Sequence, residues 1–270
     1  MQKIVFNAHY LMYLDTAVAE YWRALALPYE EAMRHLGGDL YVKKAMLEFN
    51  SSARWDDRLE VALRCARVGT SSMLFSGAIF RAGQALVTGE LVYVFADPTT
   101  QTSRPVPQPL RDILAGFEAG EPMVQIRTGG WDELGGQASY LRTRVFVEEQ
   151  QIPAELEWDA ADATATHAVA CNRLGQPVAT GRLLAPAAGV ARIGRMAVAR
   201  GLRGVGIGRQ VLDALVALAT ARGDGRVVLH AQHGAERFYS RLGFSASGEP
   251  FIEAGIRHVE MTAELSKHGS

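Results

Sequence analysis

The chain has 270 residues, 48% of them hydrophobic and 21% charged, and a net charge of −1. That length suits two cores better than one, and the near-neutral balance gives no footing for nucleic acid or an anionic membrane. Cys65 and Cys171 lie far apart in apolar runs, which reads as buried thiols of a reducing cytoplasm and excludes a disulfide framework or a metal site.

Residues 7–25 are apolar nearly all round, the mark of a helix covered on most sides, and Pro28 ends it or starts the next turn. Four strand-like runs follow, at 40–51, 58–68, 71–80 and 85–96. Leu59, Val61, Leu63 and Cys65 alternate with Glu60 and Arg64, so an antiparallel sheet with one covered face is expected. Gly69-Thr70 and Ala82-Gly83 read as tight connections. Residues 97–109 carry Pro98, Pro105, Pro107 and Pro109, the composition of an irregular strap. A short helix at 110–117 and a hinge at 118–122 complete the first part.

The second part opens on a strand at 124–127 and a helix at 134–147. A hairpin at 166–172 and 178–184 turns at Leu174-Gly175-Gln176-Pro177. A strand at 191–198 leads into a loop of glycine and arginine, and Ile207, Val211, Leu212, Leu215 and Leu218 recur at helical spacing. Free amides and the dipole of a helix beginning near Gly206 make an anion site. Gly204, Gly206 and Gly208 let backbone approach a phosphate, with Arg203 and Arg209 beside them. The spacing lacks the third glycine and the downstream acid of a dinucleotide loop, and has no Gly-Lys-Ser/Thr of a nucleotide triphosphate loop. A strand at 227–231, a helix at 236–242 stopped by Gly243 and a strand at 257–262 close the chain.

Arg203-Gly204-Val205-Gly206-Ile207-Gly208 fits the pattern Q/R-x-x-G-x-G/A and resembles the acetyl-CoA loop of the GNAT N-acetyltransferase superfamily. Phe238-Tyr239-Ser240-Arg241-Leu242-Gly243-Phe244 is similar to that family's closing helix. The word from Arg142 to Gln150, with Gly255-Ile256-Arg257-His258, resembles a bacterial GNAT subgroup. The element order β-α-β-β-β-α-β-α-β agrees.

By this resemblance, Met196, Ala197 and Val198 pair with the pantetheine arm, and Arg203, Gly204, Val205, Gly206, Ile207, Gly208 and Arg209 hold the pyrophosphate. Gln232, three residues before Ala235, stands where the family often has a cofactor-holding asparagine. Tyr239 matches the tyrosine that protonates the CoA sulfur. Glu148, Glu149, His167, His230 and His258 are all candidate bases, and none is assigned.

In the first part, Ile4-Val5-Phe6-Asn7-Ala8-His9-Tyr10 and Ser103-Arg104-Pro105-Val106-Pro107 resemble the hotdog fold, in its 4-hydroxybenzoyl-CoA thioesterase-like branch. That branch carries an activating aspartate on a strand ahead of Ile4; neither Asp15, Glu20 nor His9 is read as its substitute. No thioesterase turnover is therefore expected of this chain.

The fold class expected is α+β, a hotdog domain over 1–121 and a GNAT domain over 122–270. The expected function is transfer of an acetyl or other acyl group from CoA to a primary amine on a small molecule or protein. The alternatives are an acyl-CoA thioesterase in the first domain and a non-catalytic CoA-binding protein. The cosubstrate implied is acetyl-CoA or another acyl-CoA, without a metal. The chain is expected to be cytoplasmic, with no nucleic-acid or membrane partner, and to form at least a homodimer through residues 1–117.

Overall fold

A computed structural model describes residues 3–265. The outermost residues of both expected domains, 1–2 and 266–270, lie outside the described residues. The chain divides into two compact units, Met1–Met123 and Val124–Ser270. No helix among the described residues is long and apolar enough to cross a membrane.

The first unit begins with helix α1, Asn7–Ala24, and a short helix α2, Tyr29–Leu36, capped by Gly37 in the left-handed region. Strands β1 (Asp39–Phe49), β2 (Glu60–Val68), β3 (Ser72–Arg81) and β4 (Gln84–Ala96) form an antiparallel sheet ordered β1-β4-β3-β2. Only β2, β3 and β4 are joined as a meander; β1 pairs with β4, from Asp39 opposite Ala96 to Phe49 opposite Val87. Helix α3, Gln108–Glu118, follows the proline strap.

Gly77 and Gly89 stand opposite one another on β3 and β4. A side chain at either would press on Leu14 of α1, at 2.6 and 2.9 Å. Two paired glycines thus let the helix seat Leu14, which is fully buried, against the sheet. The helix is less covered than its composition predicts: Tyr10, Leu14, Val18, Tyr21 and Trp22 face the core, while Leu11 and Met12 are exposed.

The second unit is a seven-stranded sheet ordered β10-β11-β9-β8-β7-β6-β5. Its strands are β5 (Val124–Gly129), β6 (Thr166–Asn172), β7 (Pro177–Ala187), β8 (Val190–Val198), β9 (Arg226–Gln232), β10 (Ser245–Glu253) and β11 (Ile256–Glu264). Helix α4 (Trp131–Arg142) starts three residues before the expected position and runs into a π-helical turn, Thr143–Glu149. A one-turn helix, α5 (Ala154–Glu157), precedes β6; α6 (Ile207–Arg222) and α7 (Glu236–Ser240) follow β8 and β9. The sequence reading lacks α2, α5 and β10, because each is short or poor in apolar periodicity.

All neighbours in this sheet are antiparallel except β8 and β9, which run parallel. Their register extends only from Val190 opposite Arg226 to Ile193 opposite Leu229. Beyond Ile193 the two strands part. Against β7, three steps of β8 from Gly194 to Ala197 face two steps from Arg182 to Thr180. The extra residue makes a bulge, and Arg195 within it has φ 51.

Candidate active site

A cavity of about 520 Å³ opens where β8 and β9 diverge. Ile193, Gly194, Arg195 and Met196 of β8 line it, with His230 and Gln232 of β9 and Tyr239 of α7. The bulge turns the last residues of β8 away from β9. The Ala199 amide donates to Val178 O of β7, and Ala197 stands opposite Thr180. Alternation of a strand then directs the backbone groups of Met196 and Val198 to the other, open side.

The glycine loop lies just beyond. Gly204 and Gly206 have φ 88 and 92, both exposed, and a side chain on Gly206 would meet nothing within 4 Å. Ile207 anchors the first turn of α6 in the core. Gly208 packs close, since a Cβ there would lie 3.1 Å from Val198. Val205 is half-buried. The loop therefore exposes backbone at the N-terminus of a 16-residue helix, where the helix dipole and free amides favour an anion.

The arginines of the loop are differently placed. Arg203 holds Glu149 through both terminal nitrogens at 2.7 Å, and its Nε donates to Val198 O at 3.2 Å. The Arg203 hydrogen bond keeps the Glu149 carboxyl below its usual range. Arg209 is exposed and reaches Asp213 one turn along, at 3.3 Å.

Tyr239 is 7% exposed, its ring edge-on to Phe238 and Phe244. Burial pushes its phenol up to about 12. At neutral pH the group keeps its proton and can act as an acid. Gln232 donates to Gln150 at 2.9 Å, so both amides stand on the cavity wall.

The sequence reading misses the opposite wall. Residues 154–163 fold over β7 and β8 and bring Glu157, Asp159 and Asp162 onto three arginines. Arg142, 1% exposed, binds Glu157 at 2.5 Å and Asp162 at 2.8 Å, with Trp131 and Trp158 against its guanidinium. Arg182 binds Asp159 and Asp162, and Arg195 binds Glu157 and Asp159. Burial pushes Asp162 up, but its hydrogen bonds from Arg142 and Arg182 prevail and leave it below the carboxylate range. For Glu157 burial prevails, and its carboxyl is raised. The signal for this cluster is Glu157-x-Asp159-x-x-Asp162 after an apolar helix, but its partners come from α4, β7 and β8, which no local pattern links.

The five candidate bases separate. Glu148 is exposed and is not part of the cavity lining, and Glu149 is held by Arg203. His167 is 1% exposed, with Nε2 3.0 Å from Asp162 O, and burial lowers its imidazole. His230 and His258 both line the cavity. Among the described residues, no cluster of three or more metal-ligating side chains occurs.

Residues 134–265 match the acetyltransferase (GNAT) domain, and residues 2–88 match the thioesterase superfamily. The uncharacterized protein YyaT of Bacillus subtilis is 33% identical over 138 residues, covering 49% of this chain and 90% of YyaT. The uncharacterized N-acetyltransferase YjcF of the same organism is 34% identical over 125 residues, 46% of this chain and 88% of YjcF. A solved structure from Lactobacillus plantarum, provisionally described as an N-acetyltransferase, has 34% identity and a TM-score of 0.51. It covers 54% of this chain and 100% of its own. With a parted parallel strand pair, a glycine cradle and a buried tyrosine in that same region, the chain belongs to the GNAT acetyltransferase family through its second unit, and its first unit carries a thioesterase-superfamily domain.

Proposed function

We propose that the second unit transfers an acyl group, acetyl in the simplest case, from an acyl-CoA to a primary amine by direct attack. The observation that carries this reading is the opening between β8 and β9, lined by Met196, Gln232 and Tyr239, with the glycine loop following β8 directly and Gly208 packed on Val198. The acyl-CoA supplies an activated thioester carbonyl. The backbone of Met196 and Val198 binds its pantetheine amides as an added strand would, and the amides of Val205 to Arg209 take the pyrophosphate. Arg203, engaged by Glu149 and Val198 O, braces the loop, and Arg209 adds positive charge from its exposed position. Gln232 holds the arm near the reacting carbonyl. Tyr239 gives its proton to the departing sulfur.

The test is the pair of Tyr239→Phe and Gly206→Asn. The first should lose turnover and keep coenzyme A affinity; the second should lose affinity. Asparagine tolerates the left-handed backbone of Gly206 better than a β-branched residue, so loss of binding there reports the cradle. Unchanged calorimetric affinity of Gly206→Asn would falsify the assignment.

The match of residues 2–88 to the thioesterase superfamily supports a second reading, acyl-CoA hydrolysis by the first unit, against the expectation of no turnover drawn from the activating aspartate. Thiol release without any amine, surviving Tyr239→Phe, is its signature. For the same unit we propose pairing with a second copy, because β1 leaves one edge open and exposes Tyr41, Val42, Met46 and Phe49. Sedimentation showing only a 29.3 kDa species at micromolar concentration would exclude it.

A further inference from the structure

The amine that enters the cavity is not indicated by the glycine cradle or by Tyr239. Two groups on the facing wall address it, and their assignment rests on acyl transfer by the second unit. His230 Nδ1 lies 2.9 Å from Glu253 Oε2. A carboxylate can only accept, so Nδ1 carries the proton and the lone pair of the neutral ring is on Nε2. Arg192 Nη2 lies 3.0 Å from Nδ1 and 3.1 Å from Nε2; a guanidinium can only donate, so with the proton on Nδ1 its acceptor is Nε2. His258 lines the same cavity, but its Nδ1 donates to Ile256 O at 2.8 Å, and among the described residues Glu253 acts on it through the field without a hydrogen bond. Between the two, only His230 is hydrogen-bonded to the carboxylate that would orient it as a base.

Arg192 differs from its neighbours. Arg182 and Arg195 on the same cavity wall each hold carboxylates. Among the described residues Arg192 forms no ion pair; its hydrogen bond goes to His230 Nε2, and it acts on Glu253 only through the field, helping to hold that carboxyl low. A guanidinium in a cavity that spends its donors on an imidazole lone pair is matched to an anion that is not yet there. Arg182 stands on the same sheet face, since Leu184, two residues on, is opposite Arg192. Its Nε is buried and has no acceptor.

We propose that the acceptor is an amine carrying its own carboxylate one or two carbons away, of the α- or β-amino acid class, with the carboxylate bound by Arg192 and the ammonium facing His230. The spacing sets the class. Arg192 and the accepting nitrogen of His230 are 3.1 Å apart, so the anion and the amine they receive must be near neighbours in one molecule. When the carboxylate takes the guanidinium, Arg192 leaves Nε2 and the lone pair is released.

In the transfer step, one ammonium proton passes to His230 Nε2, and the neutral nitrogen attacks the thioester carbonyl. The C–N bond forms and the C–S bond breaks. The sulfur takes the Tyr239 proton, the second proton of the nitrogen restores the phenol, and His230 releases its own to solvent. The products are an N-acyl amino acid, free thiol and one proton.

The experiment compares free amino acids with their α-carboxamides as acceptors of acetyl-CoA in the full chain. Loss of one charge-assisted contact should lower kcat/KM for the amides by about 10- to 100-fold. In Arg192→Ala the acid-to-amide ratio should fall to about one, through KM, and Arg192→Lys should restore part of it. As a readout apart from turnover, the preferred amino acid without coenzyme A should shift the ring resonances of His230, and its amide should not. Amides used as well as acids, an unchanged ratio in Arg192→Ala, or no turnover of either while coenzyme A binds would each overturn the proposal. Failure of acyl transfer itself shows elsewhere, as coenzyme A affinity indifferent to Gly206→Asn and turnover indifferent to Tyr239→Phe.

Discussion

Three phenols of the first unit and one of the second are treated in opposite ways. In the first, Tyr21 donates to Glu118 at 2.6 Å, Tyr29 to Asp39 at 2.6 Å and Tyr93 to Asp15 at 3.2 Å. Each hydroxyl ties a helix or loop to its neighbour and has nothing left to give. In the second unit, Tyr239 is as well buried, yet no carboxylate takes its proton and it lines a cavity. Tyr93 and Tyr239 are both pushed up to about 12, the first by burial with Asp15 adding to it, the second by burial alone. A shifted phenol therefore says little about function by itself; what it faces decides. The carboxylates divide the same way. Asp15, Asp39 and Glu118 of the first unit accept from neutral phenols, whereas Glu157, Asp159 and Asp162 of the second accept from arginines.

The largest expected effect tests that contrast directly. Tyr239→Phe should lower kcat by about 10²- to 10⁴-fold with coenzyme A affinity nearly unchanged, while Tyr93→Phe should leave the transfer rate alone. Equal rates for both variants would erase the distinction. Next comes the charge cluster: Arg142→Met leaves Glu157 and Asp162 short of a partner in a dry site, and should cost about 3–5 kcal/mol in denaturant unfolding of the second unit. Gly206→Asn, which obstructs the cradle, should weaken coenzyme A binding by about 10- to 100-fold, the worth of one or two charge-assisted amide contacts. Tyr21→Phe in the first unit should cost only about 1 kcal/mol, since Glu118 still accepts from the Cys65 amide at 2.7 Å.

The smallest effect concerns pH. Asp159 and Asp162 sit below their ordinary values because arginines bind them. Their contribution to stability is full above the unfolded carboxylate value of about 4 and is lost as pH falls through their lower folded values. Glu157 runs the other way: its raised carboxyl favours the protonated form and subtracts stability above its folded value. Asp162→Asn should therefore flatten the acid limb of a stability profile, and Glu157→Gln should not.

Much of this was readable from residue order. Apolar alternation marked the strands of the first unit, with bounds within two residues for most of them. The run from Ile193 through Gly208 implied strand, loop and helix N-terminus, because a turn rich in glycine between two apolar patterns leaves few alternatives. Tyr239 followed from a short word before Gly243. These are local signals, carried by residues close together in the chain.

The remainder depended on pairing across the chain. The opening between β8 and β9 arises from one extra residue at Arg195, and a bulge has no pattern in a strand read alone. Arg192, His230 and Glu253 lie on three different strands; His230 is one of five candidate bases in the sequence, and Arg192 and Glu253 look like ordinary surface charges until the sheet brings them within about 3 Å of it. The carboxylates of 157–162 find their arginines 15 to 38 positions away. Charge is favourable at such distances only where burial removes water and geometry supplies every partner. Composition and periodicity determined which backbone would form strands and helices and where a phosphate could rest. Which polar groups would face one another across the cavity was decided by sheet order, because a strand's register, not its sequence, selects its neighbours.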